Sequence, residues 1–388
     1  MCDIKRGMAK HLKIGRRLSF LGYCACALAG CLWGTGLYWG RLALNEMSVE
    51  HMVLYRFLFA SVGMLPVVLV NRNRFRLIKT KDASSTKQDV VMEFHGLPPI
   101  GQKQRRPMDG AQSHSPRAGE SGGGLTGGEL RLLLLSAAFG VPIQFLLQFH
   151  GLTLTTVSHA SLMVGGMPVL LAAAAALFAP KGSTEERLDR IGWLALFGST
   201  IGAALIVLGG GRGPAARGET SLIGDLLVFA SLITALAWIL LSKKLMETHS
   251  PPVVTAWTIL SGTVMLTALI LGPLLLNPLL SPDHRVAPMP FAHISPTAWA
   301  ALAISGLLCT ATTTLLWNWG IHHVPASRAG VFLNIEPALG SWLGVQLLGE
   351  HLGPYAWAGG ALILSAAITL TTRGHQAGSG SEPEVILE

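Results

Sequence analysis

The sequence predicts an all-α membrane protein of ten transmembrane helices, built as two inverted repeats of five. Three observations lead there. Half of the 388 residues are hydrophobic and only 13% are charged, whereas soluble domains carry about 25% charged residues. The apolar residues gather in runs of about 20, enough to cross the hydrocarbon core of a bilayer as helix. Short motifs from the middle of the chain also return near its end at a constant spacing.

After a basic tail at 1–17, the first run, Leu18 to Gly40, holds Cys24, Cys26 and Cys31 together with Gly30, Gly34, Gly36 and Gly40. The glycines form two interleaved small-xxx-small pairs, which let helix backbones approach closely. Arg16-Arg17 and Leu28-Ala29-Gly30-Cys31 imitate a twin-arginine signal and a lipoprotein cleavage site. The run nevertheless continues past Cys31 through Trp33 and Leu37, beyond the ~7–15 residues of a signal sequence, so it reads as a span. The five cysteines have no metal-binding spacing and read as small apolar side chains.

The next spans are Val49 to Val70, Leu130 to His150, Val157 to Ala179 and Ile191 to Leu208. A long insertion at 71–128, rich in Ser, Pro, Gly and basic residues, is expected to be disordered because it has too little apolar surface to offset the entropy of ordering. Spans six to ten are Leu222 to Leu241, Val253 to Leu276, Trp299 to Ile321, Ala326 to Leu348 and Tyr355 to Thr371, followed by a disordered tail at 374–388. Most connections are short, so consecutive helices should be antiparallel neighbours.

The net charge of +8 reflects topology and not nucleic-acid binding, because the basic residues sit between apolar runs instead of on one face. Placing both termini in the cytoplasm puts about 24 of the 29 Lys and Arg residues there, as the positive-inside rule requires. The location expected is the inner (plasma) membrane.

Val157-Ser158-His159-Ala160-Ser161 with Met167-Pro168 aligns with Ala326-Ser327-Arg328-Ala329-Gly330 with Glu336-Pro337, and the same offset pairs Gly151 with Gly320. A second offset pairs Trp33 with Trp238. The repeats are therefore 18–210, interrupted by the insertion, and 222–373. A unit with an odd number of crossings enters from opposite sides in its two copies. Two such halves can expose a central site to each side in turn, which favours a transporter over a scaffold.

Leu54-Tyr55-Arg56-Phe57-Leu58-Phe59-Ala60, Ser327-Arg328-Ala329, Leu333-Asn334-Ile335-Glu336-Pro337 and Leu347-Leu348-Gly349-Glu350 resemble the EamA family of the drug/metabolite transporter superfamily. The resemblance covers both halves. It implies a ten-helix permease, often an exporter of amino acids, related metabolites or toxic compounds. The first repeat departs from the pattern, with Met167-Pro168 in place of Glu336-Pro337 and Ala179-Pro180-Lys181-Gly182 in place of Gly349-Glu350. The first span lacks a carboxylate, so the proton-coupling scheme of the smaller multidrug relatives does not carry over.

A charge at bilayer depth costs ~2.5–3.5 kcal/mol on insertion scales and needs a partner or a wet cavity. Arg56 and Glu336 are the two charges read as lying well inside spans; Glu336 would bind an amino group or a proton, and Arg56 a carboxylate. Trp33 and Trp238, with Tyr55 and Met163, are candidates for walling a cavity, and Gln144, Gln148, Asn318 and Asn334 for hydrogen bonding within it. Pro168 and Pro337 each delete a helix hydrogen bond and are candidate kinks for gating. His322-His323 does not share one helix face and has no third ligand, so no metal is expected. No ATP-binding or nucleophile motif occurs and no cofactor is expected, leaving a gradient, with protons as the candidate coupling ion, to drive a monomer or homodimer. The competing readings are a nucleotide-sugar or organic-phosphate transporter of the same superfamily, which should carry several deep basic residues, and a membrane-embedded lipid-handling enzyme, which should cluster His, Asp or Ser near one leaflet.

Overall fold

A computed structural model describes residues 2–71, 76–77, 124–178, 190–209, 221–276, 294–323 and 330–373, and nearly all of them are helical. Helices α1 (Cys2–Leu44) and α2 (Val49–Val70) come first. Helix α3 (Gly127–Leu154) contains a π turn at Phe139–Ile143. It is followed by α4 (Val157–Val164), α5 (Met167–Phe178), α6 (Arg190–Gly209), α7 (Leu222–Leu245) and α8 (Pro251–Leu276). Helix α9 (296–323) has a longer π segment at Ile304–Thr312. A 3-10 segment, Gly330–Asn334, then leads into α10 (Ile335–Leu348), and α11 is Pro354–Arg373.

Among the described residues, six helical stretches are long and apolar enough to cross a membrane: Phe20–Leu44, Val49–Val70, Gly127–Leu154, Leu222–Leu245, Pro251–Pro273 and Pro296–Gly320. Shorter apolar helices run through Val157–Leu171, Arg190–Ile206 and Pro354–Thr369. Large apolar side chains such as Leu69, Leu194, Phe197 and Val264 point outward. An outward apolar surface of this kind is covered by lipid in a helical membrane protein.

Four expectations are refined. The basic tail continues α1 back to Cys2. Strands β1 (Arg76–Leu77) and β2 (Gly124–Leu125) pair in parallel and draw together the two ends of the 71–128 insertion, most of which lies outside the described residues, as does the 374–388 tail. The span expected to run unbroken from Val157 to Ala179 is interrupted at Gly165-Gly166. Finally, Pro168 and Pro337 lie in the first turns of α5 and α10, where a missing N–H removes no intrahelical bond. The prolines start helices here; the break comes before them, at Gly165-Gly166 in one case and at the 3-10 segment Gly330–Asn334 in the other.

Helix packing follows a paired scheme. The C-terminal part of α3 packs on α7, as the C-terminal part of α9 packs on α1. The repeat-paired glycines sit at these two crossings: a Cβ on Gly151 would lie 2.8 Å from the Gly224 carbonyl oxygen, and one on Gly320 would lie 2.6 Å from Cys26 Sγ. The π turn of α3 rests on α8, and that of α9 rests on α2. The pairs α2–α8, α4–α10 and α6–α11 also pack together. Thr126 and Ser295, the N-caps of α3 and α9, stand at the same offset as Val157 and Ala326.

Polar contacts define the two ends of the bundle. At one, Glu129 accepts hydrogen bonds from the Thr126 N–H and hydroxyl, 2.9 and 2.8 Å, and from the Thr248 hydroxyl, 2.9 Å. At the other, called here the Thr155 end, Arg41 donates to the Leu152 carbonyl at 2.6 Å and Ser221 N–H to the Leu154 carbonyl at 2.9 Å. At this end Glu46, between α1 and α2, accepts from the Ser295 N–H and hydroxyl, both at 2.6 Å. The Ser295 hydroxyl, then its N–H, hold the exposed Glu46 carboxyl below its usual value. A depressed carboxyl stabilises the fold above its unfolded-state pKa of about 4.3, and that contribution disappears as pH falls through the lower folded value. Thermal melts of Glu46→Gln should therefore differ from wild type near neutral pH and converge with it in strong acid; a gap that persists at the lowest pH would refute the ionic contribution.

Candidate functional site

The site is built where the π segment of α9 meets α1, α2 and α3. Wide turns leave carbonyls without their usual partners, and hydroxyls take over: Thr310 donates to the Ser305 carbonyl at 2.9 Å and Thr313 to that of Leu308 at 2.6 Å. This fixes the Thr310 oxygen as an acceptor for Arg56 Nε at 3.2 Å. The Arg56 guanidinium also lies 5.0 Å from the Phe145 ring centroid and 5.4 Å from that of Phe149, within the range of cation–π attraction. Gly36 borders the guanidinium, and a Cβ there would make an ordinary contact of 3.7 Å with one of its nitrogens. Arg56 is only 5% exposed.

Glu336 approaches from α10, where α1 glycines admit a close helix contact. A Cβ on Gly34 would lie 2.9 Å from the Glu336 carbonyl oxygen, and one on Gly30 still nearer that of Phe332. Arg56 and Glu336 lie within electrostatic reach of each other, yet no ion pair within 4.0 Å joins them among the described residues. The two side chains are therefore near each other without direct contact.

The other predicted residues fall into two groups. Trp33 packs at 5.6 Å from Trp317; Trp238 lies against Gly140 in the α3 π turn; and Asn318 donates to the Thr255 hydroxyl at 3.4 Å. These three are half-buried, as are Gln144, Gln148, Asn334 and Glu336. Gln144 Oε1 and Trp238 Nε1 are buried without a hydrogen-bond partner among the described residues, so polar capacity remains unused between α3 and α7. Tyr55, by contrast, packs at 5.0 Å from Trp299, and Met163 is 3% exposed; both belong to the packed core. An apolar cleft of 550 Å³ lined by Ile143, Leu146, Leu147 and Leu227 involves none of the predicted site residues.

Pro337 touches the interruption between α4 and α5, because a Cβ on Gly165 would lie 3.1 Å from its ring. Towards the Thr155 end, α4 and α10 press together, Gly340 against Ser161 and Gly344 against Ser158. Beyond Pro337, α5 turns to pack on α11. The helices of this pair thus meet at one end of the bundle and take different partners at the other.

Sequence reasoning missed two buried acids. Gly349, at φ 64°, ends α10 in the left-handed region, which glycine adopts without a Cβ penalty. The chain reverses there and sends Glu350 to the start of α4, where it accepts from the Val157 N–H at 2.7 Å, the Ser158 N–H at 2.8 Å and the Ser158 hydroxyl at 2.6 Å. The third N–H, of His159, is met by the Thr156 hydroxyl at 3.2 Å. Asp225, four residues into α7 and 1% exposed, accepts from the Thr155 hydroxyl at 2.7 Å. Asp225 and Glu350 are therefore buried charged side chains alongside Arg56. The motif Leu348-Gly349-Glu350 signalled the first acid; only an acid near a span's edge signalled the second.

Comparison with known proteins places this architecture. Residues 222–372 match the EamA-like transporter family. The permease-like protein YdzE of Bacillus subtilis is 43% identical over 63 residues, which are 16% of this chain and 81% of YdzE. The chain belongs to the EamA-like transporter family. Other relatives include an uncharacterized transporter of Archaeoglobus fulgidus, 22% identical over 65% of this chain and 79% of its own length. A protein of Streptantibioticus cattleyicolor described as a probable terminal-alkyne amino-acid exporter is 25% identical over 63% of this chain and 74% of its own length. A crystal structure at 15% identity has the same fold, with a TM-score of 0.50 over 92% of this chain and 99% of the other. As a member of this family the chain is a multi-pass membrane transporter, a permease of the drug/metabolite transporter superfamily, and its relatives carry transporter names, not enzyme names.

Proposed function

We propose that this protein is a secondary transporter of ten transmembrane helices in the inner membrane, with both termini cytoplasmic, exporting small amphoteric metabolites such as amino acids, related organic compounds or drugs. The repeats are 18–210 and 222–373, with 71–128 as a cytoplasmic insertion, related by an axis in the membrane plane. The paired packing of α3 on α7 and α9 on α1, together with the distribution of Lys and Arg, supports this arrangement. Alternating access would exchange closure at the Thr155 end, where α4 and α10 touch, for closure at the other end.

The observation that carries this reading is the unbridged pair of charges, Arg56 from the first repeat and Glu336 from the second. A direct ion pair would satisfy itself; a gap admits a solute with an anionic and a cationic group. The half-buried Trp33, Trp238, Gln144, Gln148, Asn318 and Asn334 would offer aromatic walls and hydrogen bonds to its side chain, and the packed Tyr55 and Met163 would support that wall from behind. Among the described residues Arg56 is the only buried Lys or Arg within the spans, which favours a zwitterion over a sugar nucleotide with its several phosphate charges.

Purified protein in liposomes, offered a panel of labelled amino acids and cationic toxicants, provides the test. At least one zwitterionic solute should be transported, and Glu336→Gln should reduce its flux by tenfold or more at equal incorporation, equivalent to about 1.4 kcal/mol. Transport unaffected by Glu336→Gln would remove the assigned role of that carboxyl group.

A further inference from the structure

The polar cluster at the Thr155 end shares no residue with the Arg56–Glu336 site. His159 is completely buried, and neither ring nitrogen has a hydrogen-bond partner among the described residues. Its Nδ1 stands 4.0 Å from Asp225 Oδ1, too far for a hydrogen bond. We propose that His159 and Asp225 form a proton-binding site that ties the two halves of the transporter together at the Thr155 end when occupied.

A neutral imidazole carries one N–H, and in this pocket that donor is unmet in either tautomer. A proton added at Nδ1 creates a donor aimed at an anionic acceptor, and a shift of about 1 Å would make a charge-assisted hydrogen bond. Asp225 is prepared for that role: the Thr155 hydroxyl holds one oxygen, and its place in the first turn of α7 favours negative charge. His159 can make the shift because α4 has only eight residues and is cut from α5 at Gly165-Gly166. The proton comes from water at the Thr155 end and bonds to Nδ1, whose N–H then donates to Oδ1; it returns to water when α4 separates from α7.

The charged groups around this site are few. Asp225 comes from α7, while Glu350, following α10, is engaged with the first N–H groups of α4. Arg41 of α1 is tied to the Leu152 carbonyl, and His150 of α3 pairs at 3.1 Å with Glu50 of α2. Neither α6 nor α11 brings a charged side chain to this end among the described residues. Asp225 is therefore the anion in position to receive a proton held on His159.

The test needs no substrate, so its failure leaves the proposed cargo untouched. The full-length protein, with its 13 histidines labelled with nitrogen-15, is placed in lipid nanodiscs and followed by NMR from about pH 8.5 to about pH 5. One imidazole signal, absent from His159→Gln, should convert to the doubly protonated form. In Asp225→Asn its midpoint should fall by about one pH unit, a tenfold loss of proton affinity. A His159 signal that stays neutral throughout, or one whose midpoint is unchanged in Asp225→Asn, overturns the proposal. If His159→Gln does not fold, Asp225→Asn alone decides: a downward shift of one histidine signal supports the site, and thirteen unmoved signals refute it.

Discussion

Replacing Glu350 with alanine should lower the stability of the purified protein by about 3–5 kcal/mol, because two buried N–H groups lose their acceptor and each unmet donor costs roughly 1–3 kcal/mol. The donors are those of Val157 and Ser158, both fully buried, so water cannot replace the carboxyl oxygens cheaply. Ser158 Oγ retains the Ser341 carbonyl at 3.1 Å as an acceptor, which keeps the loss below that of three independent bonds. The melting temperature in detergent should fall on the order of 10 °C. Glu350→Gln should fall between the two, since its amide keeps one acceptor oxygen and presents a donor where the second N–H already points. An alanine variant that melts with the wild type would mean that α4 is held by apolar packing alone.

This contact also shows how far the sequence could be read. Leu348-Gly349-Glu350 identified a helix end and an acid, but the partner lies some 190 residues earlier in the chain, and no local pattern encodes that pairing. Apolar length and periodicity revealed the apolar helices, six of which among the described residues are long enough to cross a membrane, because the bilayer makes those demands on every helix separately. Gly151 and Gly320 were legible as equivalents, and the structure puts both at tight helix crossings, since small residues at fixed spacing record close approach. Pro168 and Pro337 drew attention one turn too late: the chain breaks before Pro168 at Gly165-Gly166 and before Pro337 at the 3-10 segment ending in Asn334. Asp225 was passed over because an acid near a span's edge normally faces water, whereas here it is buried and bonded to Thr155, some 70 residues earlier. The charges of the candidate site were conspicuous in an apolar run. Thr310, Phe145 and Phe149, which hold Arg56, were not, because hydroxyls and phenyl rings are ordinary in membrane helices.

Arg56→Met should abolish transport while leaving the protein as stable as wild type or more so. The guanidinium is buried with one hydrogen bond to Thr310, two aromatic faces and no ion pair within 4.0 Å among the described residues. Such a charge has lost much of its hydration without regaining a full set of partners, and replacing buried ionic groups by apolar ones of similar volume is often neutral or stabilising by about 1–4 kcal/mol. A methionine can occupy the stem's path past Gly36 and between Phe145 and Phe149, where thioether–aromatic contacts are favourable. If the charge is retained for cargo, flux of a zwitterionic solute should drop a hundredfold or more, corresponding to about 2.7 kcal/mol of lost binding, and the solute should no longer raise the melting temperature. Arg56→Lys should recover little, because an ammonium cannot reach Thr310 and a carboxylate with the fork geometry of guanidinium. The two measurements separate the possible roles: a melting point that falls with the flux makes Arg56 a structural strut, whereas a steady or rising one alongside lost flux leaves recognition of an anionic group as the reason for burying it.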